Sequence, residues 1–193
     1  QLDAIISNLS NLGARRLAAL GILGLADRVQ VTATDSNTPD EELLRKNPLG
    51  KIPTLLTDEG QAVFDSRAIM QFIDRAGGKR IYPRNAAKRT DAEVMEALCD
   101  GICDCLLAIM YERRFRPEEI VHQEWIDKQW TKVCRGLDYL DKNPPKVGKK
   151  LHGGHFALAA MLEGGAEIGV TVGLLGVEGP NALLECRHAT ERP

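Results

Sequence analysis

The sequence predicts an α/β unit followed by an all-helical region. In residues 1–78, short apolar runs alternate with segments of helical period, which is typical of a sheet with helices packed on it. From residue 85 onward the apolar residues repeat only at helical spacing. Residues 79–84 lie between the two patterns and read as an extended connector. We therefore expect two domains, at residues 1–78 and 85–193.

The α/β unit is predicted to have the order β-α-β-α-β-β-α. Apolar runs predict strands at residues 4–7, 29–34, 52–57 and 62–64, and the turn at 58–60 predicts that the last two form an antiparallel hairpin. The first helix is expected at 14–24, after a polar loop. Thr38 is expected to cap the second helix, with Pro39 as its first residue. Ser66 is expected to cap the third, which Gly77 ends.

Two long helices are predicted in the second part. Apolar residues step by three and four from Val94 to Ala108, and again from Ile126 to Leu140. Arg116-Pro117 separates the two runs. A third buried helix is expected to start near Phe156 and to be interrupted at 164–165, where two glycines adjoin. The tail from about residue 163 contains six Gly and no aromatic residue, so it is expected to be irregular.

The composition is that of an ordinary globular protein. Apolar residues make up 44% and charged residues 27% of the 193 residues, and 25 basic residues against 27 acidic ones leave a formal charge of -2. This balance makes nucleic acid an unlikely partner, because no basic field is present to hold phosphates. The longest apolar stretch, 168–177, is roughly half of a membrane span, so no membrane association is expected.

The cysteines and the N-terminus predict a cytoplasmic protein. Five Cys residues without a disulfide-framework spacing are typical of reduced thiols, and the N-terminus lacks the features of a secretory signal. Cys99, Cys103 and Cys105 crowd one predicted helix, but only Cys99 and Cys103 share a face at i, i+4. A zinc site needs four ligands, so we expect these thiols to pack in the core and expect no bound metal.

Two neighbouring motifs carry a family resemblance. The sequence Asn47-Pro48-Leu49-Gly50-Lys51-Ile52-Pro53-Thr54-Leu55 is followed by Phe64-Asp65-Ser66-Arg67-Ala68-Ile69. This pairing closely resembles the glutathione-binding half of the cytosolic-type glutathione S-transferases, bacterial members included, and the likeness extends over about residues 2–161. The resemblance implies a thioredoxin-like N-terminal domain, an all-helical C-terminal domain and glutathione as a substrate.

The resemblance also implies how glutathione is bound. The family has a cis peptide bond before the motif proline, here Ile52-Pro53, which lets the main chain of Ile52 pair with a peptide ligand as an added strand would. At the following helix N-terminus, Ser66 and free N–H groups would receive the γ-glutamyl carboxylate, and Asp65 would accept from the ammonium. Taken alone, Asp65-Ser66 also fits an ordinary helix cap. Lys51 completes this predicted binding set.

Ser10 is the candidate thiol-activating residue. It lies where the family places its Tyr, Ser or Cys, five residues before Arg15, and it would donate a hydrogen bond to the glutathione sulfur. Asn11, also placed in the predicted glutathione site, and Ser7 are alternative counterparts, since the family commonly has Pro and an aromatic residue after the active hydroxyl. Ser10 also fits a plain loop residue. The first cysteine is Cys99, which excludes thioredoxin-type disulfide exchange in this domain.

The predicted function is conjugation of glutathione to small hydrophobic electrophiles, a detoxification reaction, by a homodimer. Leu12, Tyr111 and Arg114 are the candidate electrophile pocket, because the family builds its variable pocket there. The alternative is a transferase-like protein that binds glutathione without turnover, or a regulatory protein of that kind. The resemblance further implies that Asp100 or Asp104 reaches the ligand of the partner subunit, although both also fit solvated helix acids.

One position departs from the family pattern. Relatives have a Ser/Thr-x-x-Asp capping box where this chain has His152-Gly153-Gly154-His155. We expect reciprocal capping to be lost there, at a cost of about 0.5 to 2 kcal/mol.

Overall fold

The computed structural model of the protein describes residues 2–7, 29–34, 38–78, 81–148 and 150–167. The strands are β1 (Leu2–Ser7), β2 (Val29–Thr34), β3 (Thr54–Leu56) and β4 (Ala62–Val63). The helices are α1 (Glu41–Lys46), α2 (Ser66–Ala76), α3 (Ala86–Phe115), α4 (Gln123–Lys142) and α5 (Gly153–Glu167). One turn of 3₁₀ helix covers Glu118–Ile120. The helix predicted at 14–24 lies outside the described residues.

The four strands form one mixed sheet in the order β2-β1-β3-β4. β1 runs parallel to β2 and antiparallel to β3, and β3 pairs antiparallel with β4 through Leu55 and Val63. The predicted hairpin is therefore confirmed, and the predicted range of β2 matches its observed range. Gly60 lies in the hairpin turn with φ of 79°, a conformation that glycine adopts without strain.

The caps of α1 and α2 differ from the prediction by one or two residues. Asp40, not Thr38, is the N-cap of α1, because its carboxylate accepts the Leu43 N–H at 2.7 Å. Asp65, not Ser66, is the N-cap of α2, where it accepts the Arg67 N–H at 3.1 Å. Asp40 lies closer to the first turn of α1 than Thr38 does, and Asp65 directly precedes Ser66. In each case the aspartate carboxylate satisfies an N–H that would otherwise be unpaired.

The long helices pack on one another through a shared apolar core. The buried members of this core come from three helices: Cys99, Ile102 and Leu106 of α3; Val133, Cys134, Leu137 and Leu140 of α4; Ala157, Leu158 and Met161 of α5. Cys103 and Cys105 pack against its edge, as predicted for these thiols. Burial raises the pKa of the Cys105 thiol, which opposes formation of a thiolate there. Among the described residues, no helix is both long and apolar enough to cross a bilayer.

A connector between α2 and α3 joins the sheet to the helical part. Ile81 and Tyr82 are both buried, and their N–H groups donate to the carboxylate of Asp74 on α2 at 2.7 and 3.2 Å. The Tyr82 hydroxyl donates to Glu96 of α3 at 2.7 Å. Phe156 of α5 packs into the same cluster. The connector is thus tied to α2, α3 and α5 at once.

Helix α5 extends beyond its predicted end. The helix continues through Gly164 and the next glycine to Glu167, so the predicted interruption at 164–165 is wrong. Gly in a helix interior costs about 1 kcal/mol relative to Ala, which the burial of Phe156, Ala157, Ala160 and Met161 on the same helix outweighs. The predicted tail beyond residue 167 lies outside the described residues.

Candidate functional site

The loop between α1 and β3 is held by the buried side chain of Asn47. Its Nδ2 donates to the Lys51 carbonyl at 2.7 Å and to Thr54 Oγ1 at 3.3 Å, and its Oδ1 accepts the Leu49 N–H at 3.1 Å. Thr54 Oγ1 in turn donates to the Lys51 carbonyl at 3.0 Å. Gly50 has φ of 59°, so the chain reverses at a residue without a Cβ. These contacts form the segment 47–53 into a closed turn.

This turn places the main chain of Ile52 just before the start of β3. The Ile52-Pro53 peptide bond is cis, as the resemblance implies, and the Phe64-Asp65 bond is cis as well. Among the described residues, the N–H and C=O of Ile52 make no main-chain hydrogen bond. Both groups can therefore pair with a peptide ligand along this edge.

The register of the hairpin brings this edge to the N-terminus of α2. Leu55 is paired with Val63, so continuing the same register by two residues places Pro53 opposite Asp65. The register therefore brings the two motifs, which are separated by residues 56–63 in the sequence, toward each other.

The N-terminus of α2 offers groups for a charged ligand. Asp65 is exposed, and its Oδ1 accepts the Arg67 N–H, which leaves Oδ2 as an acceptor for an ammonium group. Ser66 is half-buried and is the first residue of the helix. Unpaired N–H groups and the helix dipole favour a carboxylate at this position. Lys51 is exposed on the adjoining turn.

An ion pair connects this helix N-terminus to α3. Arg67 Nε lies 2.8 Å from Asp100 Oδ2, and the side chain of Asp100 is only 12% exposed. Asp100 therefore lies beside the candidate site of its own chain. This contact was not predicted, because 33 residues separate the two side chains and neither has a local signal for the other.

The face of α3 that carries Asp100 continues toward the predicted electrophile pocket. Tyr111 lies 11 residues further along, close to three full turns, so it shares the face of Asp100. Tyr111 is 47% exposed and contacts Phe115 with ring centroids 5.4 Å apart. The Arg114 guanidinium lies 5.4 Å from the Phe115 ring centroid. An exposed aromatic and cationic end thus lies on the same helix as the ion pair.

The predicted thiol-activating residues Ser10 and Asn11 lie outside the described residues, and so do Leu12 and Arg15. Ser7 is the last residue of β1. In the described part of the chain, no group of three or more His, Cys, Asp or Glu residues is placed to hold a metal ion.

The structure identifies a role for one residue that the motif contained but the prediction did not use. Asn47 is 1% exposed and makes the contacts that shape the turn around Ile52. Its position at the start of the motif was the available signal. A polar residue in a loop does not by itself indicate burial.

Comparison with known proteins gives consistent matches to one family. Residues 10–76 match the glutathione S-transferase N-terminal domain family. The uncharacterized GST-like protein YibF of Escherichia coli strain K12 is 34% identical over 103 residues, which are 53% of this chain and 50% of that protein. The match thus spans about half the length of that relative.

Solved structures extend the similarity over most of the chain. A glutathione transferase family member from Pseudomonas fluorescens Pf-5, with bound glutathione, is similar with a TM-score of 0.79 and 26% identity, over 100% of this chain and 96% of that one. A glutathione S-transferase from Methylobacillus flagellatus KT, with glutathione bound, has a TM-score of 0.76 and 28% identity, over 86% of this chain and 83% of that one.

Proposed function

We propose that this chain, a member of the glutathione transferase superfamily with a thioredoxin-like N-terminal part and an all-helical C-terminal part, conjugates glutathione to small electrophiles. We further propose residues 1–78 as the glutathione-binding domain and residues 85–193 as the helical domain. Two similar structures contain glutathione, which supports the choice of ligand.

The observation that carries the proposal is the β3–β4 register, whose continuation would set the Ile52-Pro53 turn opposite the Asp65-Ser66 helix N-terminus. Glutathione is a peptide with a free γ-glutamyl ammonium and carboxylate. Main-chain pairing at Ile52 would recognise its peptide backbone, while Asp65 and Ser66 would bind the two charges. Lys51 would favour the glycine carboxylate at the other end of the peptide.

The chemistry requires a thiolate. The sulfur loses its proton to solvent and then attacks an electrophilic carbon, either displacing a leaving group such as chloride or adding to an activated alkene that takes up a proton. A thiol pKa lowered by two units corresponds to about 2.7 kcal/mol, which a charge-assisted hydrogen bond and a helix dipole together can supply. We propose Ser10 as the hydrogen-bond donor, with Asn11 and Ser7 as the alternatives.

The remaining parts of the proposal concern the second substrate and the assembly. Leu12, Tyr111 and Arg114 are the proposed walls of the electrophile pocket. Tyr111 lies on the face of α3 that carries Asp100, which supports the assignment for this helix. We propose a homodimer in the cytoplasm, in which Asp100 or Asp104 reaches the γ-glutamyl ammonium of the glutathione bound by the partner subunit. No metal is proposed for the reaction.

The test measures glutathione binding and turnover separately. Calorimetry with glutathione and a spectroscopic assay with 1-chloro-2,4-dinitrobenzene are run on the full chain, on Ser10→Ala and on Ser66→Ala. We expect Ser66→Ala to weaken glutathione binding and Ser10→Ala to lower turnover with binding retained. An unchanged rate in Ser10→Ala would exclude Ser10, and Asn11→Ala and Ser7→Ala would then be measured in the same way.

The outcome also separates the two functional classes. Glutathione bound without turnover across a panel of electrophiles would favour the non-catalytic binding protein. No glutathione binding by the folded full chain would refute the proposed function altogether.

A further inference from the structure

The start of α5 is closed by two histidines in place of the usual capping residues. His152 immediately precedes the helix, and the N–H of this residue donates to His155 Nδ1 at 3.2 Å. This is the half of a capping box in which the third helical residue accepts from the N-cap main chain. Reciprocal capping is therefore only partly lost, which corrects the expectation from the sequence. The two rings lie with centroids 3.9 Å apart.

The hydrogen bonds of His155 define its neutral form. Since Nδ1 accepts the His152 N–H, the ring proton is on Nε2, which then donates to the Lys146 carbonyl at 3.3 Å. The ring of His155 therefore links the main chain of the cap to the loop that precedes α5.

The imidazole of His152 favours its neutral form. Its Nδ1 is buried without a hydrogen-bond partner, so a charge there has no compensating acceptor. Burial lowers the pKa of His152, and neighbouring His155 lowers it further. Asp91 on α3 acts in the opposite direction.

The other charged groups around the junction are engaged elsewhere. The hydroxyl of Tyr82 donates to Glu96, and the Arg89 guanidinium lies over the Tyr82 ring. Lys146 and Lys150 in the preceding loop are exposed, and their positive charges would disfavour a positive charge on the His152 ring. Asp91 is therefore the carboxylate that favours protonation at this cap.

The cap lies at the connector that joins the two parts of the protein. The Gly153 N–H donates to the Ile81 carbonyl at 3.2 Å. A Cβ on Gly153 would lie 2.6 Å from the Tyr82 ring, which shows how closely the first turn of α5 packs there. Opening of this turn would release the connector from α5.

We propose that His152 and His155 form a pH-sensitive N-cap that holds the first turn of α5 on the connector while the buried imidazole of His152 is neutral and releases it on acidification. The unfolded-state pKa of His is about 6.5, so the capped form is fully favoured above that value. It loses stability as the pH falls from about 6.5 toward the lower pKa of the folded state. The proposal does not depend on the proposed transferase activity.

Amide hydrogen exchange of the full chain tests the proposal at about pH 8 to about pH 5. Protection in a peptide covering 151–162, corrected for the intrinsic exchange rate, should fall by about tenfold per pH unit for each proton taken up on opening. The variant His152→Ser/His155→Gln has a non-titrating capping box and should keep its protection across this range. Protection in wild type that does not change with pH would overturn the proposal, as would an equal decline in this variant.

Two further measurements distinguish the proposed cap from misfolding of the double variant and from the effect of another histidine. His122 caps α4 through Nδ1, which accepts the Trp125 N–H at 3.3 Å, so His122→Asn replaces a histidine cap elsewhere in the chain. This control should leave the pH dependence in 151–162 as in wild type, and abolition of that dependence by His122→Asn would contradict the proposal. In wild type, the His152 ring followed by NMR should titrate together with the loss of protection. Titration of the ring with protection intact would refute the switch even if the double variant failed to fold.

Discussion

Replacement of Asn47 should loosen the turn formed by residues 47–53. In Asn47→Ala, three hydrogen bonds are lost: those to the Lys51 carbonyl, to Thr54 Oγ1 and from the Leu49 N–H. Each contributes about 1 kcal/mol. The Lys51 carbonyl keeps its bond from Thr54, so the loss leaves it partly satisfied. We expect the free energy of unfolding to fall by about 2 to 3 kcal/mol.

The same change should weaken glutathione binding, because the turn that presents Ile52 would no longer be pre-formed. We expect a dissociation constant at least about tenfold higher, equivalent to about 1.4 kcal/mol. Asn47→Asp tests the hydrogen bond that Asn47 donates separately from the one it accepts. The carboxylate still accepts from the Leu49 N–H, but it has no proton to donate to the Lys51 carbonyl. It should be at least as destabilising as Asn47→Ala at neutral pH.

Urea denaturation gives the stability and calorimetry gives the affinity, both at a temperature at which the variants remain folded. Asn85→Ala is the matched control, because Asn85 is an exposed N-cap of α3 whose Oδ1 accepts the Lys88 N–H at 3.0 Å. It should cost about 1 kcal/mol and leave glutathione binding unchanged. A loss below about 1 kcal/mol in Asn47→Ala, or an equal loss of affinity in Asn85→Ala, would refute the reasoning.

Two further predictions rest on the packing of the helices. Gly153→Ala should lower the unfolding free energy by about 1 to 3 kcal/mol, because the added Cβ would overlap the Tyr82 ring. Gly101→Ala has open space around the added Cβ and should raise the unfolding free energy by about 0.5 to 1 kcal/mol. Thermal unfolding of the two variants measures whether each change has the expected sign. Arg67→Ala should raise the KM for glutathione with less than about 1 kcal/mol lost in stability, since the arginine of this ion pair is half exposed. If the ion pair positions the site, the double exchange Arg67→Asp/Asp100→Arg should recover part of the affinity for glutathione that is lost in Arg67→Ala. An unchanged KM in Arg67→Ala, together with no recovery in the double exchange, would show that the ion pair does not position the site.

Much of the architecture was predictable because it depends on neighbours in the chain. Strand β2, the hairpin of β3 and β4, and the end of α3 before Pro117 follow from alternation, turn residues and helical period. The caps were less predictable. Asp65 and Ser66 are both good capping residues, and only the geometry of the first turn selects between them.

The sequence by itself determined the order of the described elements, the core face of α4 and the two motifs of the candidate site. The core face predicted for α3 was wrong, because its buried residues are Cys99, Ile102 and Leu106, whereas Val94 is exposed. Only the tertiary structure decided that Arg67 contacts Asp100, that Asn47 is buried in the turn 47–53, and that His155 turns back to the N–H of His152. The physical reason is a difference in range. Period and capping type are encoded within a few residues, whereas an ion pair across 33 residues, or the burial of a loop amide, exists only once separate elements have packed.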